Sequence, residues 1–241
     1  MVVASHAPER NRALDRLFPN VDAVVVDAVH HDGGPIPPLD VELAASVDGA
    51  TDARRREFAI GRRCAAIALA AAGSTDTRVD RHVDRSPIWP AGWTGSIAHS
   101  SGYVVAVAAR RSDGWGIGID AEHIDAVDDD VAREVLTPNE LAELGGSSVA
   151  LGRRREATVV FAAKEAFFKA QYPFTGRWVN FSDVELVQHV AAGERSGVAT
   201  LRAGAATAVL GEFDWPIEAR WTLLGEVVVV GVKVARTVVD H

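Results

Sequence analysis

One helix-forming stretch decides the fold of this chain: Phe161-Ala162-Ala163-Lys164-Glu165-Ala166-Phe167-Phe168-Lys169. It lies within a longer segment, Arg153 to Gln171, that reads as one long helix. Glu165 and Lys169 are four residues apart, so they lie on the same face of that helix. Taken alone, the two side chains form an ordinary ion pair worth about 0.2–0.5 kcal/mol. A second charged segment upstream gives the pair a further meaning.

That second segment, Gly118-Ile119-Asp120-Ala121-Glu122, is predicted to be the end of a β-strand. Asp120 and Glu122 point to the same side of the strand because side chains alternate along it. Three carboxylates and one lysine that meet at one point suit a hard divalent cation such as Mg²⁺, which takes oxygen ligands and is often shared with substrate phosphates. A solvated strand end is the ordinary alternative for an acidic pair. Together with the helix, the strand indicates a site that handles a phosphate ester.

The composition is that of an ordinary globular protein with a sizeable core. The chain has 241 residues, of which 48% are hydrophobic and 24% are charged, enough for one large domain or two small ones. Its net charge of −8 disfavours a general nucleic-acid-binding role. The arginines are nevertheless clustered, at 54–56, 62–63 and 153–155. Local basic patches on an acidic protein favour a small anionic ligand or an acidic partner surface.

Cysteine content and hydropathy bear on where the protein works. Cys64 is the only cysteine, so no intrachain disulfide can form and a reducing compartment is expected. Residues 1–11 contain no apolar segment typical of a signal peptide. No apolar run in the sequence approaches the ~20 residues of a membrane span. We therefore expect a cytoplasmic protein without a membrane partner.

The order of predicted elements repeats along the chain. In each half a buried strand precedes a long helix, Asp52 to Ala72 in the first half and Arg153 to Gln171 in the second, and further strands follow. Both helices open on the tetrapeptide Arg-Arg-Arg-Glu, although coincidence is an alternative explanation for so short a match. We predict two related α/β halves, residues 1–113 and 114–241, with a ligand site between them.

Four motifs resemble, in order and spacing, those of the 4′-phosphopantetheinyl transferase superfamily. They are Arg54-Arg55-Arg56-Glu57-Phe58-Ala59-Ile60-Gly61-Arg62, Trp89-Pro90-x-Gly92-Trp93-x-Gly95-Ser96-Ile97-Ala98-His99-Ser100, Gly118-Ile119-Asp120-Ala121-Glu122 and Phe161-x-x-Lys164-Glu165-Ala166-x-x-Lys169. The pattern is most similar to that of the monomeric surfactin-type group, in the branch like enterobactin synthetase component D. Two positions depart from it: Ala98, where many members have Ser or Thr, and Phe161, where many have Trp. The resemblance extends over residues 50–180.

The resemblance implies both a fold and a reaction. Surfactin-type members are pseudo-dimers of two similar α/β halves with coenzyme A at the interface, so a monomer is expected. The family transfers the 4′-phosphopantetheine group of coenzyme A to a serine of an apo acyl, peptidyl or aryl carrier protein and releases 3′,5′-ADP. The reaction uses Mg²⁺, with Mn²⁺ as an alternative. The carrier would serve fatty-acid, polyketide, nonribosomal-peptide or siderophore synthesis.

The resemblance also assigns roles to individual residues. Asp120, Glu122 and Glu165 match metal-binding positions, and Glu165 is alternatively, or in addition, the base that activates the acceptor serine. Asp120 and Glu165 form the catalytic set with Lys169, which would neutralise or protonate the departing phosphate. Arg54 and Arg62 share a helix face because they are two turns apart. The residues expected to bind coenzyme A are Arg54, Arg62, Arg81, Arg85, Ser96, His99, Asp120, Lys164 and Lys169.

Two other functions are compatible with the same residues. A metal-dependent phosphodiesterase or pyrophosphatase acting on coenzyme A-like nucleotides would transfer to water and need no protein acceptor. A coenzyme A- or carrier-binding module would bind without turnover. The complete set of Asp120, Glu122, Glu165 and Lys169 argues against the second alternative, because a binder has no use for a lysine at the leaving group.

Overall fold

Two main antiparallel sheets, each covered by one long helix, and one two-stranded sheet make up the described part of the molecule. The computed structural model describes residues 3–4, 8–31, 33–112, 114–145, 153–187, 194–204 and 211–236. Helices and strands are mixed along the chain, which confirms the predicted α/β class. Their order and packing place the acidic strand beside the charged helix.

The N-terminal part of the chain forms the first main sheet and the elements around it. Its elements are β1 (Val3–Ala4), α1 (Pro8–Asp15), β2 (Ala23–Val29), α2 (Val41–Ala45), α3 (Asp52–Ala71), β3 (Asp80–Arg81), β4 (Pro87–Ile88), β5 (Trp93–Ser100) and β6 (Tyr103–Arg110). The main sheet has the antiparallel order β1-β2-β6-β5, and α3 packs across β2, β6 and β5. Helix α3 begins at a side-chain cap, because Thr51 Oγ1 accepts a hydrogen bond from Arg54 N at 3.3 Å.

The second sheet is built from the C-terminal part. Its elements are β7 (Trp115–His123), α4 (Asp129–Val135), α5 (Pro138–Leu144), α6 (Arg154–Thr175), a 3₁₀ turn (Phe181–Asp183), β8 (Val184–Leu186), β9 (Ser196–Ala203), β10 (Ile217–Leu224) and β11 (Val227–Ala235). The sheet order is β7-β11-β10-β9-β8, and α6 packs on β7 and β11. Helix α6 continues one turn beyond its predicted end, through Pro173, until Gly176 adopts the left-handed φ of 60° that terminates it.

The same sequence of elements recurs in the two sheets. The N-terminal set is β2, α3, β5 and β6, and the C-terminal set is β7, α6, β10 and β11. In each set the first strand pairs with the last, which also pairs with its hairpin partner. This recurrence is what two related halves require, and the boundary between residues 113 and 114 stays a prediction.

Three apolar clusters account for the main packing. One lies between α6 and the second sheet, another lies between α3 and the first sheet, and the third joins the two sheets. The joining cluster includes Val105 and Val107 from β6, Ile119 from β7 and Val229 from β11, all fully buried. Within the described ranges, no helix combines the length and hydropathy that a membrane crossing needs.

Gly118 allows α6 to lie directly against β7. A Cβ atom added at Gly118 would lie 1.9 Å from the carbonyl oxygen of Ala166 and 2.7 Å from the amide nitrogen of Ala170. Both alanines are buried, so the contact is one of backbone against backbone. This close approach brings the charged face of the helix to the strand that carries Asp120.

We expect Gly118→Ala to lower the free energy of unfolding by about 3 kcal/mol, at the upper end of overpacking effects, since the clashing atoms belong to a helix backbone. Urea unfolding followed by circular dichroism measures the change. Gly211→Ala is the matched control, because a Cβ there would meet nothing within 4 Å. Equal unfolding midpoints for the two variants would contradict the assigned role of Gly118.

Candidate active site

The candidate site lies where β5 of the first sheet packs beside β7 of the second. Ser96 Oγ on β5 donates a hydrogen bond to the carbonyl oxygen of Ile119 on β7 at 3.3 Å. At the end of β5, Ser100 Oγ donates to Glu122 Oε2 at 3.2 Å and accepts from the amide of His123 at 3.1 Å. These bonds tie the ends of the two strands together, so side chains from both halves meet there.

Asp120 and Lys169 form the centre of the acidic side of the site. Lys169 Nζ lies 2.5 Å from Asp120 Oδ1, and the Asp120 side chain is only 4% exposed. The second oxygen, Oδ2, is buried and accepts no hydrogen bond from the residues that the structure describes. Burial disfavours the charged ammonium, but the carboxylates of Asp120 and Glu165 outweigh it and raise the pKa of Lys169. The lysine is therefore held charged beside a carboxylate with one unused oxygen.

Glu122 and Glu165 are the other two carboxylates at this point. Burial, reinforced by the negative charge of Asp120, raises the pKa of Glu122 to about 7. Burial is also the main cause that raises the pKa of Glu165, with Asp120 adding to it and Lys169 opposing it. The mutual influence of these groups shows that α6 and β7 bring together Asp120, Glu122, Glu165 and Lys169, as the two sequence segments predicted.

The acidic groups suit a divalent cation without forming a finished cage. Among the described residues, no three His, Cys, Asp or Glu side chains are already arranged to hold a metal ion. Lys169 instead occupies one oxygen of Asp120. The unused buried oxygen of Asp120 and the like-charge repulsion felt by Glu122 are both relieved by an added positive charge. The donor set is carboxylate oxygen, the type that Mg²⁺ prefers.

The raised pKa of Glu122 predicts how stability depends on pH in the metal-free protein. A carboxyl whose pKa is about 7 when folded and near 4.5 when unfolded binds more protons in the folded state between those values. The free energy of unfolding should therefore fall as pH rises through that window. Urea unfolding in the presence of a chelator measures this slope, and Glu122→Gln should flatten it. Parallel curves for the two proteins would contradict the shift.

A second group of charged side chains joins α3 to the end of β5. Arg54 Nη1 hydrogen-bonds to His99 Nε2, and His99 Nδ1 lies 3.3 Å from Glu57 Oε2. The same Glu57 oxygen lies 3.5 Å from Arg54 Nη1. Burial lowers the pKa of His99, aided by Arg54 and Lys169 and opposed by Glu57 and Asp120. The influence of Lys169 and Asp120 shows that this group borders the acidic centre.

A pair of arginines lies further along α3. The guanidinium of Arg62 stacks 4.5 Å from the centre of the Phe58 ring, and that of Arg81 lies 5.8 Å from the same ring. Arg62 also donates to the carbonyl oxygen of Asp80 at 3.2 Å. Burial, together with repulsion from Arg81 and Arg54, lowers the pKa of Arg62 to about 10. Cations that are held together against their own repulsion are typical of an anion-binding surface.

Three predicted coenzyme A-binding residues are placed differently from this group. Arg85 is exposed in a turn, with a φ of 74°, and its role stays a prediction. Ser96 is only 3% exposed and its hydroxyl bonds to Ile119, so it links the two strands. Its role in coenzyme A binding stays a prediction. The third residue, Lys164, is also buried.

Lys164 is held by contacts inside the protein. Its Nζ donates to Glu140 Oε2 at 2.6 Å and to the carbonyl oxygens of Val135 and Phe181 at 2.9 Å each. Lys164 and Glu140 are both only 2% exposed. All three protons of the ammonium are used inside the protein, where they tie α4, α5 and the 3₁₀ turn to α6. The binding of a coenzyme A phosphate by Lys164 stays a prediction.

Two residues that the sequence analysis did not select also contribute. Glu57 was missed, although its three-residue spacing from Arg54 places the pair on one helix face. Ser100 was missed because its partner Glu122 lies in the other sheet, and no local pattern connects the two. A cavity of about 340 Å³ opens along α6. Its walls include Glu134, Lys164, Glu165, Phe167, Phe168, Trp178 and Phe181.

Two protein-family models match the sequence of this chain. Residues 42–109 match the model of the 4′-phosphopantetheinyl transferase N-terminal domain, and residues 116–211 match that of the 4′-phosphopantetheinyl transferase superfamily. The chain belongs to the 4′-phosphopantetheinyl transferase superfamily. The two matched ranges lie on either side of the predicted boundary between halves and contain the groups described above. The resemblance drawn from the four motifs is thus confirmed.

Individual phosphopantetheinyl transferases show how far the similarity extends. The chain is 36% identical over 140 residues to the 4′-phosphopantetheinyl transferase Npt of Nocardia iowensis, covering 58% of this chain and 62% of the relative. It is 37% identical over 134 residues to PptT of Mycobacterium tuberculosis, covering 55% and 58%. Enterobactin synthase component D of Escherichia coli is 39% identical over 90 residues, covering 36% and 40%. The matches therefore span less than two thirds of these relatives.

Proposed function

We propose that this protein transfers the 4′-phosphopantetheine group of coenzyme A to a serine of an apo carrier protein. The observation that supports this most directly is the meeting of Asp120, Glu122, Glu165 and Lys169 where β5 packs beside β7. Arg54 and His99 also lie there. Carboxylates and cations side by side suit a reaction at a phosphate. Membership of the superfamily supplies the substrate class.

In the proposed reaction the serine oxygen attacks the β-phosphorus of coenzyme A. A phosphorus–oxygen bond to the serine forms as the bond to 3′,5′-ADP breaks. Glu165 accepts the proton of the serine, a role that its raised pKa favours because the carboxylate becomes a stronger base. Lys169, whose raised pKa keeps it charged, neutralises the departing phosphate. The chain thus supplies one group for each charge that develops.

Asp120 and Glu122, with Glu165 as the third carboxylate, are the residues that would hold Mg²⁺ or Mn²⁺. A divalent cation bound there would neutralise the diphosphate during attack. Ser100 fixes the orientation of Glu122 through its 3.2 Å hydrogen bond. The Asp120 oxygen Oδ2, which accepts no hydrogen bond from the described residues, would be one of the ligand atoms.

The basic groups would bind the remainder of coenzyme A. All four come from the N-terminal half: Arg54 and His99 border the acidic centre, and Arg62 and Arg81 lie together at the Phe58 ring. Guanidinium groups suit phosphate because they donate two parallel hydrogen bonds. We further propose a cytoplasmic protein that acts as a monomer, since both halves of the site are on one chain.

The decisive experiment incubates the protein with coenzyme A, Mg²⁺ and a panel of apo acyl, peptidyl and aryl carrier proteins. Intact mass spectrometry should show one carrier gaining a single phosphopantetheine group, with 3′,5′-ADP released in equal amount. A parallel reaction without carrier separates the alternatives. Release of 3′,5′-ADP there, at the same rate and with no carrier modified, would support hydrolysis of coenzyme A instead. Binding without any turnover would support a binding module.

A further inference from the structure

Glu57 introduces a negative charge at a place that otherwise collects positive ones. It is on α3, one turn after Arg54, and its side chain is 21% exposed. A single oxygen, Oε2, lies 3.3 Å from His99 Nδ1 and 3.5 Å from Arg54 Nη1. The contact joins the helix to the end of β5. Since a carboxylate repels phosphate, its presence here calls for a role other than attracting substrate.

The three contacts define the protonation pattern of a neutral His99. A guanidinium has donors only, so Arg54 can only donate to His99 Nε2, which must be the acceptor. The remaining ring nitrogen, Nδ1, then carries the proton and donates it to Glu57. Each ring nitrogen has one partner of the required type. The ring can therefore neither flip nor change tautomer without losing both contacts.

We propose that Glu57 is a positioning residue: it fixes the Nδ1–H tautomer of His99 and holds Arg54 beside it, so that both are aligned for the phosphates of coenzyme A. The inference rests on the proposed function for the identity of the anion. The tautomer and the alignment of Arg54 follow from the contacts of the protein alone. Glu57 need not touch the substrate.

A positioning role and a purely electrostatic role predict opposite signs for the same substitution. If Glu57 only adds negative charge, Glu57→Ala will strengthen coenzyme A binding. If it aligns His99 and Arg54, Glu57→Ala will weaken binding roughly tenfold, as expected for the loss of hydrogen bonds to charged groups. Glu57→Gln, which keeps an acceptor oxygen, should fall between the wild type and Glu57→Ala.

The test combines calorimetric titration of coenzyme A with nitrogen-15 NMR of the histidine rings. Asp52→Asn is the matched control, because it removes a carboxylate from the first turn of the same helix without touching His99. The His99 signal is assigned by its loss in His99→Gln. We expect the Nδ1–H tautomer in the wild type and in Asp52→Asn, and a mixture in Glu57→Ala.

Unchanged or tighter coenzyme A binding by folded Glu57→Ala would overturn the proposal, and so would an unchanged tautomer. Circular dichroism confirms that each variant is folded, and Glu57→Gln replaces Glu57→Ala if the latter is not. Failure of the wild type to bind coenzyme A would instead count against the proposed function. The tautomer spectra of the free protein would still decide whether Glu57 orients His99.

Discussion

Glu165→Gln is expected to reduce phosphopantetheine transfer by about 10²–10⁴-fold, the usual contribution of a general base. Glutamine keeps the size and polarity of the side chain but cannot accept the proton of the acceptor serine. Coenzyme A binding should remain largely intact, because the cations that would contact its phosphates lie on α3, β3 and β5. Single-turnover transfer to an apo carrier, followed by mass spectrometry, measures the loss.

Glu134→Gln is the matched control for this variant. Glu134 lines the same cavity as Glu165 but belongs to α4 and takes no part in the acidic centre. Its replacement should leave the transfer rate within a factor of about three of the wild-type rate, since surface substitutions away from special contacts typically cost less than 0.5 kcal/mol. A Glu165→Gln protein that transfers as fast as Glu134→Gln would remove Glu165 from the proposed mechanism.

The second large effect concerns stability. Lys164→Met is expected to lower the free energy of unfolding by about 3–5 kcal/mol, because it leaves the Glu140 charge buried without its cation. The loss also strips the carbonyl oxygens of Val135 and Phe181 of their donor. Urea unfolding measures the change.

A double-mutant cycle gives the control. Glu140→Gln removes the buried charge but keeps one acceptor oxygen, so it can still accept from only one of the amides of Thr137 and Leu186, which Glu140 binds through Oε2 and Oε1 at 2.7 Å each. The variant with both Lys164→Met and Glu140→Gln should therefore lose less stability than the sum of the single losses. Strict additivity, or a Lys164→Met protein as stable as the wild type, would show that the pair is not the structural tie described here.

The parts of the site that the sequence predicted depend on short-range periodicity. Alternation along β7 places Asp120 and Glu122 on one side, and the four-residue spacing on α6 places Glu165 with Lys169. Neither pattern needs knowledge of the other half. The meeting of the two segments was predicted from their combined chemistry and from the resemblance and not from either periodicity, because it depends on the close approach of the α6 backbone at Gly118.

The parts that the sequence did not predict depend on partners far away in the chain. Lys164 precedes Glu165 by one residue, yet a step of one residue turns the side chain by about 100° around the helix. The direction of the Lys164 side chain relative to the core is decided by Glu140 on another helix. The hydrogen bond of Ser96 was not predicted for the same reason, since its partner Ile119 lies in the other sheet.

The charged residues of the site lie on the two sides of the contact between the main sheets. Arg54, Arg62, Arg81 and His99 come from one side of it, and Asp120, Glu122 and Glu165 come from the other. A small slip of one sheet past its neighbour would therefore change the spacing between cations and carboxylates without disturbing either set internally. Coenzyme A with its metal ion would contact both sets of charges and so link the two sheets. Coenzyme A and Mg²⁺ added together should thus raise the melting temperature of the protein more than either ligand added by itself.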